Sequence, residues 1–239
     1  MLYPAELRAH ACLGQAGRYY RSGQGLSSGY DGRPMSTTSD IQAVTASTES
    51  GLLSLVKTGA SRQSIANHLD ALTAGERLAN VLAVRGKNLG KLWDAVAGAD
   101  ALRLTDLVPE GERDTIIFEG RNSLPAFTRF QKRFARVGNT VVGYNHQTMA
   151  VVTGPGYFVV REPTAGEAHP DELFIDYTTD PPGIPVGWPR FLRNDVGLSR
   201  AVYMNMKDFC RRVAEGVLIG KAYKQGVAQG AYFTLTRPY

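Results

Sequence analysis

The residues in this chain best suited to chemistry are few. His146 is the most suggestive titratable side chain, because Tyr144 lies two positions before it in Tyr-Asn-His-Gln. With an acid such as Glu119 or Asp176 it would make an acid–base site. Cys210 is a weaker nucleophile to pair with His146, since it falls where a short helix would turn it toward the core. A second kind of chemistry is electrostatic. Arg121, Arg129, Lys132 and Arg133 are cations suited to a carboxylate or phosphate, which a guanidinium grips with two parallel hydrogen bonds. Tyr144, Tyr157, Phe158 and Trp188 could wall an apolar pocket beside them. His10, His68, His146 and His169 are too scattered for a metal site, and no phosphate-binding or dinucleotide motif occurs, so no metal and no cofactor are expected.

The element expected to carry the cations runs over 123–136. Asn122 or Ser123 fits an N-cap and Pro125 a first turn. Phe127, Phe130 and Phe134 share one helical face, and Arg129, Lys132, Arg133 and Arg136 share the opposite one. The spacing therefore predicts a basic amphipathic helix. No acid occurs between Glu119 and Glu162, and the cations of 121–136 equal the whole net charge of +5. The basicity is a local patch, too small by itself to indicate nucleic acid.

A β-hairpin should follow. Met149, Val151 and Thr153 alternate with Ala150 and Val152, Gly154-Pro155-Gly156 suits a type II turn, and Tyr157 to Val160 suit the returning strand. Further strands are read at 114–119, 141–146, 172–178 and 201–204, with a short helix at 208–215. A terminal hairpin joins 217–223 to 231–237 around Gln225-Gly226. The Pro- and Gly-rich loop 180–189 must pack Trp188 onto the core or against a pocket.

Residues 47–98 read as four short helices. Ser47 or Thr48 would open the first and Gly59 end it; Ser61 caps the second; Thr73 and Glu76 form a capping box for the third, which Gly86 ends; Leu89, Leu92, Trp93 and Val96 belong to the fourth. Residues 48–72 resemble a helix-turn-helix, with Ser61, Arg62 and Gln63 leading the second helix. Leu55, Thr58 and His68 depart from that pattern. Residues 1–46 show no periodicity and read as disordered or an extension. Met35, followed by Ser-Thr-Thr-Ser-Asp, reads as the natural start of a bacterial protein.

The whole chain has 239 residues and 43% hydrophobic content, enough for a real core. Two isolated cysteines suit a reducing, cytoplasmic setting, and no apolar run is long enough to be a transmembrane segment. The segments GRNSLPAFTRFQKRF and GPGYFVV look similar to uncharacterised bacterial proteins, a resemblance spanning most of 50–239 that implies no activity. The expectation is an α+β fold: an N-terminal helical bundle, 47–98, packed on a mainly antiparallel β-sheet or partly closed barrel, 114–239. The expected function is non-enzymatic binding of an anionic or amphipathic small ligand, or of a protein partner. Its site would involve Arg121, Arg129, Lys132, Arg133, Tyr144, His146 and Tyr157. A DNA-binding regulator using 48–72 and a small acid–base enzyme using His146 are the alternatives, with nucleic acid the less favoured partner.

Overall fold

Eight antiparallel strands close into a barrel in which each strand pairs with the next and β8 returns to β1. The strands of this computed structural model are β1 (Ile116–Asn122), β2 (Arg129–Val137), β3 (Thr140–His146), β4 (Phe158–Arg161), β5 (Leu173–Asp176), β6 (Met206–Ala214), β7 (Val217–Lys224) and β8 (Val227–Thr236). The structure describes residues 51–125, 128–146, 154–164, 169 and 171–239, all within one unit, Thr38–Tyr239. The reading of 1–46 therefore lies outside the described residues.

The barrel interior follows from strict alternation. Phe118, Phe134, Val141, Phe158, Ile175, Leu218 and Leu235 point inward from seven different strands and form one buried core. Three aromatic rings lie over glycines directly across the ladder: Phe130 over Gly120, Phe158 over Gly143 and Phe233 over Gly220. At one end Leu102, Leu107 and Val108 join the same core, on and beside a short helix, α5 (Leu104–Leu107). Arg136 and Arg237 hold that segment through its carbonyls, with Arg136 Nη2 donating to Val108 O at 2.8 Å and Arg237 Nη2 to Asp106 O at 2.8 Å. At the other end, Tyr203 of α6 (Ser199–Tyr203) stacks on Tyr177 with ring centroids 5.4 Å apart.

Four helices precede the barrel: α1 (Leu52–Thr58), α2 (Arg62–Asp70), α3 (Ala74–Ala83) and α4 (Lys87–Ala95). Their ends follow local chemistry. Gly59 takes the left-handed conformation that ends α1, the Ser61 side chain caps α2, and Thr73 and Glu76 cap α3 reciprocally. Gly86, expected to end α3, instead stands at the N-cap of α4. The apolar faces do not form a core of their own. Leu52, Ile65, Leu69, Leu89, Leu92 and Trp93 share one core with Val213, Val217 and Ile219 on the outer face of β6 and β7.

Several expected elements are corrected. The basic helix at 123–136 is replaced over 129–137 by β2, whose side chains alternate in and out. Phe130 and Phe134, four residues apart, lie on one side in either geometry, so they do not discriminate. Lys132 does: in a strand it shares the phenylalanine side. The short helix at 208–215 is β6, with Asp208 and Cys210 inward in alternation with Phe209 and Val213. The strand at 201–204 lies largely within α6. Gly154-Pro155-Gly156 leads into β4, and Asn145 N donates to Pro155 O at 2.8 Å; β4 pairs with β3 on one side and β5 on the other, so neither of its edges is left for 149–153. The expected first strand, 149–153, lies outside the described residues. The terminal hairpin turns at Gln225-Gly226, both with positive φ (52° and 77°), as a two-residue type I′ turn requires.

Candidate functional site

The barrel walls sort the expected site residues by parity. Arg121, Arg129, Arg133, Tyr144 and His146 share the outer face of β1–β3, because Arg121 pairs with Arg129, Arg133 with Tyr144 and His146 with Gln131. Lys132 does not join them. It points into the barrel and is 2% exposed, which corrects its assignment to a surface cation patch. Tyr157 is also corrected as a ligand contact, for it is fully buried and its hydroxyl donates to Pro189 O at 2.5 Å. Its ring packs with Tyr144, Trp188 and Phe191, so the aromatics near 144–191 anchor the loop after β5 rather than wall a pocket. Trp188 Nε1 completes that anchor by donating to Thr115 Oγ1 at 2.8 Å.

On the outer face a chain of hydrogen bonds uses up most of the polar groups. Gln131 Nε2 donates to Glu119 Oε1 at 2.7 Å, Arg133 Nη2 donates to Gln131 Oε1 at 3.0 Å, and Arg133 Nη1 donates to the Tyr144 hydroxyl at 3.3 Å. His146 is exposed at the edge of this chain. Partial burial, then the charge of Arg133, lowers its pKa against a smaller opposing effect of Glu119, so the imidazole is neutral at neutral pH. Asp176, the other acid considered for His146, lies two strands away and accepts from Thr178 Oγ1 at 2.6 Å. Cys210 is inside the barrel, its thiol pushed well up by burial first and then by Asp208, which is the wrong direction for a nucleophile facing His146.

Arg121 stands outside the network. It is 7% exposed, and its Nε has no hydrogen-bond partner among the described residues. The residue opposite it on β8 is Thr234, fully buried with an equally unpartnered Oγ1, and Thr236 two positions on is the same. Burial, then the positive charges of Arg85 and Arg129, lowers the Arg121 pKa, although a guanidinium remains charged at neutral pH. Arg85 comes from the turn between α3 and α4, and α3 lies against β1 and β8. Two arginines thus act on Arg121 here, and no carboxylate is among the groups acting on it.

Arg211 shows what a satisfied, partly buried guanidinium looks like in this fold. Its Nε donates to Glu172 Oε1 at 2.7 Å, and the Trp93 ring lies 3.9 Å from its guanidinium carbon. Glu172 and Arg211 line a small cleft with Gly98, His169 and Asp171, and Glu172 is already paired with Arg211 there.

A second polar cluster is sealed inside the barrel. Lys132 Nζ donates to Asn145 Oδ1 at 2.8 Å, to the Tyr177 hydroxyl oxygen, and to Asp208 Oδ2 at 3.5 Å. All four residues are at least nine-tenths buried. The sequence marked Lys132 but missed Asp208, Asn145 and Tyr177 as its companions. The alternation of Asp208 with Phe209 was the available signal. Among the described residues no group of three or more His, Cys, Asp or Glu is placed to hold a metal, and no helix is long and apolar enough to cross a membrane. Comparisons with known families, curated proteins and solved structures return no match.

Proposed function

We propose that this protein is a binding domain for a small oxyanion, a carboxylate or a phosphate, seated on the outer face of β1 where β8 and the α3–α4 turn meet it. Arg121 makes the primary contact, Arg85 and Arg129 flank it, and Thr234 of β8 stands opposite it. The observation that supports the reading is the largely buried Arg121 side chain with its buried, unpartnered Nε. Leaving a buried donor without a partner costs about 1–3 kcal/mol, and like charges close by add to that cost. An anion relieves both, and a guanidinium offers the donors that a carboxylate or phosphate accepts. Arg133 and His146 continue the same face and would meet the remainder of a larger ligand.

The test is calorimetric titration of the full chain with inorganic phosphate and with acetate at constant ionic strength, alongside Arg121→Met. Saturable binding to the natural protein, weakened at least about tenfold in the variant (about 1.4 kcal/mol), is the expected result. Equal isotherms for the two proteins would overturn the reading. A DNA duplex arm addresses the regulator alternative. Residues Arg62, Gln63 and Asn67 of α2 are exposed, but Gln63 Nε2 already donates to Asn67 Oδ1 at 2.8 Å. Steeply salt-dependent duplex binding, with no response to phosphate, would favour that alternative.

A further inference from the structure

Lys132, Tyr177, Asp208 and Cys210 are buried inside the barrel, so chemistry among them would join groups of the protein to one another. From the geometry around Lys132 we infer that the chain forms an internal isopeptide bond between the Lys132 amine and the Asn145 carboxamide, with Asp208 as the proton carrier.

Three features support it. The first is proximity. Lys132 and Asn145 are direct cross-strand partners on β2 and β3, and Nζ lies 2.8 Å from Oδ1, so the carboxamide carbon is within reach of the amine after a small rotation. Groups held together in this way react with effective concentrations of about 10⁵ M or more when well oriented. The second is the acid beside them. Asp208 Oδ2 is 3.5 Å from Nζ and accepts from the Tyr177 hydroxyl at 3.3 Å, and Asn145 Nδ2 in turn donates to that hydroxyl at 3.3 Å. Tyr177 thus links the carboxyl to the leaving nitrogen. The third is the surroundings. The rings of Phe158, Tyr177 and Phe233 lie 4.8–5.0 Å from Nζ, and Lys132, Asn145 and Asp208 are all buried. Burial lowers the pKa of the lysine and raises that of the aspartate, so both are biased toward the neutral forms that the reaction uses.

The step balances without any co-reactant. The lysine ammonium gives one proton to the Asp208 carboxylate and becomes a neutral amine. The Nζ lone pair adds to Cγ of Asn145, pushing the carbonyl electrons onto Oδ1. Reformation of the carbonyl breaks the Cγ–Nδ2 bond. Asp208, relayed by Tyr177, returns its proton to Nδ2 and accepts the proton that Nζ loses. One amide replaces another, Asp208 passes its remaining proton to the departing ammonia, which leaves as ammonium, and the carboxylate is regenerated.

The experiment is intact mass measurement of the purified full chain with peptide mapping. The expected result is a mass about 17 Da below that of the same polypeptide without the bond, and a branched peptide joining Lys132 to Asn145. Recovery of both residues only in separate, unmodified linear peptides would overturn the inference. A loss of about 18 Da mapping to a Lys132–Asp208 link would also overturn it, because the carbonyl would then come from the acid. Asp208→Asn, checked for folding by circular dichroism, should leave the mass undiminished. If that variant does not fold, the mass and peptide map of the natural chain still decide between bond and no bond.

Discussion

Arg121 and Arg211 are both arginines on the outside of the barrel, and their difference is the basis of the functional reading. Arg211 has a carboxylate and an indole face; Arg121 has neither, and faces two other arginines. The sequence placed Arg121 in a cationic stretch but held no sign of its isolation, which depends on Thr234 lying opposite it and on Arg85 arriving from the helices. At the same scale, Tyr157 makes a pH prediction. Burial, reinforced by Tyr144, pushes its hydroxyl from 10.0 up to about 12. The folded state therefore holds the phenol proton more tightly than the unfolded chain does. The resulting stabilisation is fully present below pH 10 and is lost as pH rises through about 12. Thermal melts should show stability falling across that window, and Tyr157→Phe should flatten the fall. An identical slope in the variant would assign the loss to other groups.

Elements were legible where one period fits the residues and ambiguous where two do. The capping residues at Ser61 and Thr73 fixed the starts of α2 and α3 because caps act locally. Thr73→Ala should cost about 1 kcal/mol by removing the reciprocal cap, measured as a shift in the urea midpoint with the slope unchanged. β2 and β6 were misread because polar residues occupy inward positions: Lys132 and Asp208 face a core that a simple alternation reserves for apolar groups. The glycines under the phenylalanines explain how the strands admit such large rings. A Cβ on Gly220 would fall within the Phe233 ring, and one on Gly143 within the Phe158 ring and 2.7 Å from Arg133 O. Gly220→Ala should therefore destabilise by roughly 1–3 kcal/mol through overpacking, as read by chemical denaturation. A neutral effect would mean that the ring can move aside.

At the scale of the whole molecule, closure of the barrel could not be read from the chain. It depends on β1 meeting β8, with Glu119–Asn122 opposite Phe233–Thr236, a pairing that spans the rest of the domain. The antiparallel character of the β portion was visible in its hairpins; the seam that completes it was not. That seam also creates the proposed site, since Arg121 and Thr234 become neighbours only there. The helices bury their apolar residues against β6 and β7, so their core is continuous with the outer wall of the barrel. Trp93 belongs to that shared core, and Trp188, in the loop after β5, packs against Tyr144 instead. In Trp188→Phe, the fluorescence of Trp93 and the far-ultraviolet dichroism should report one coincident urea transition. Separate transitions would show that the helices melt apart from the barrel.

The most direct test of the anion-binding account observes the Arg121 Nε–H itself by nitrogen-edited NMR during a phosphate titration at constant ionic strength. The account predicts that this resonance shifts and saturates, with smaller shifts for Arg85 and Arg129 and none for Arg211. Parallel, unsaturated drift of all the arginine side chains, with Arg121 no different from Arg211, would contradict it.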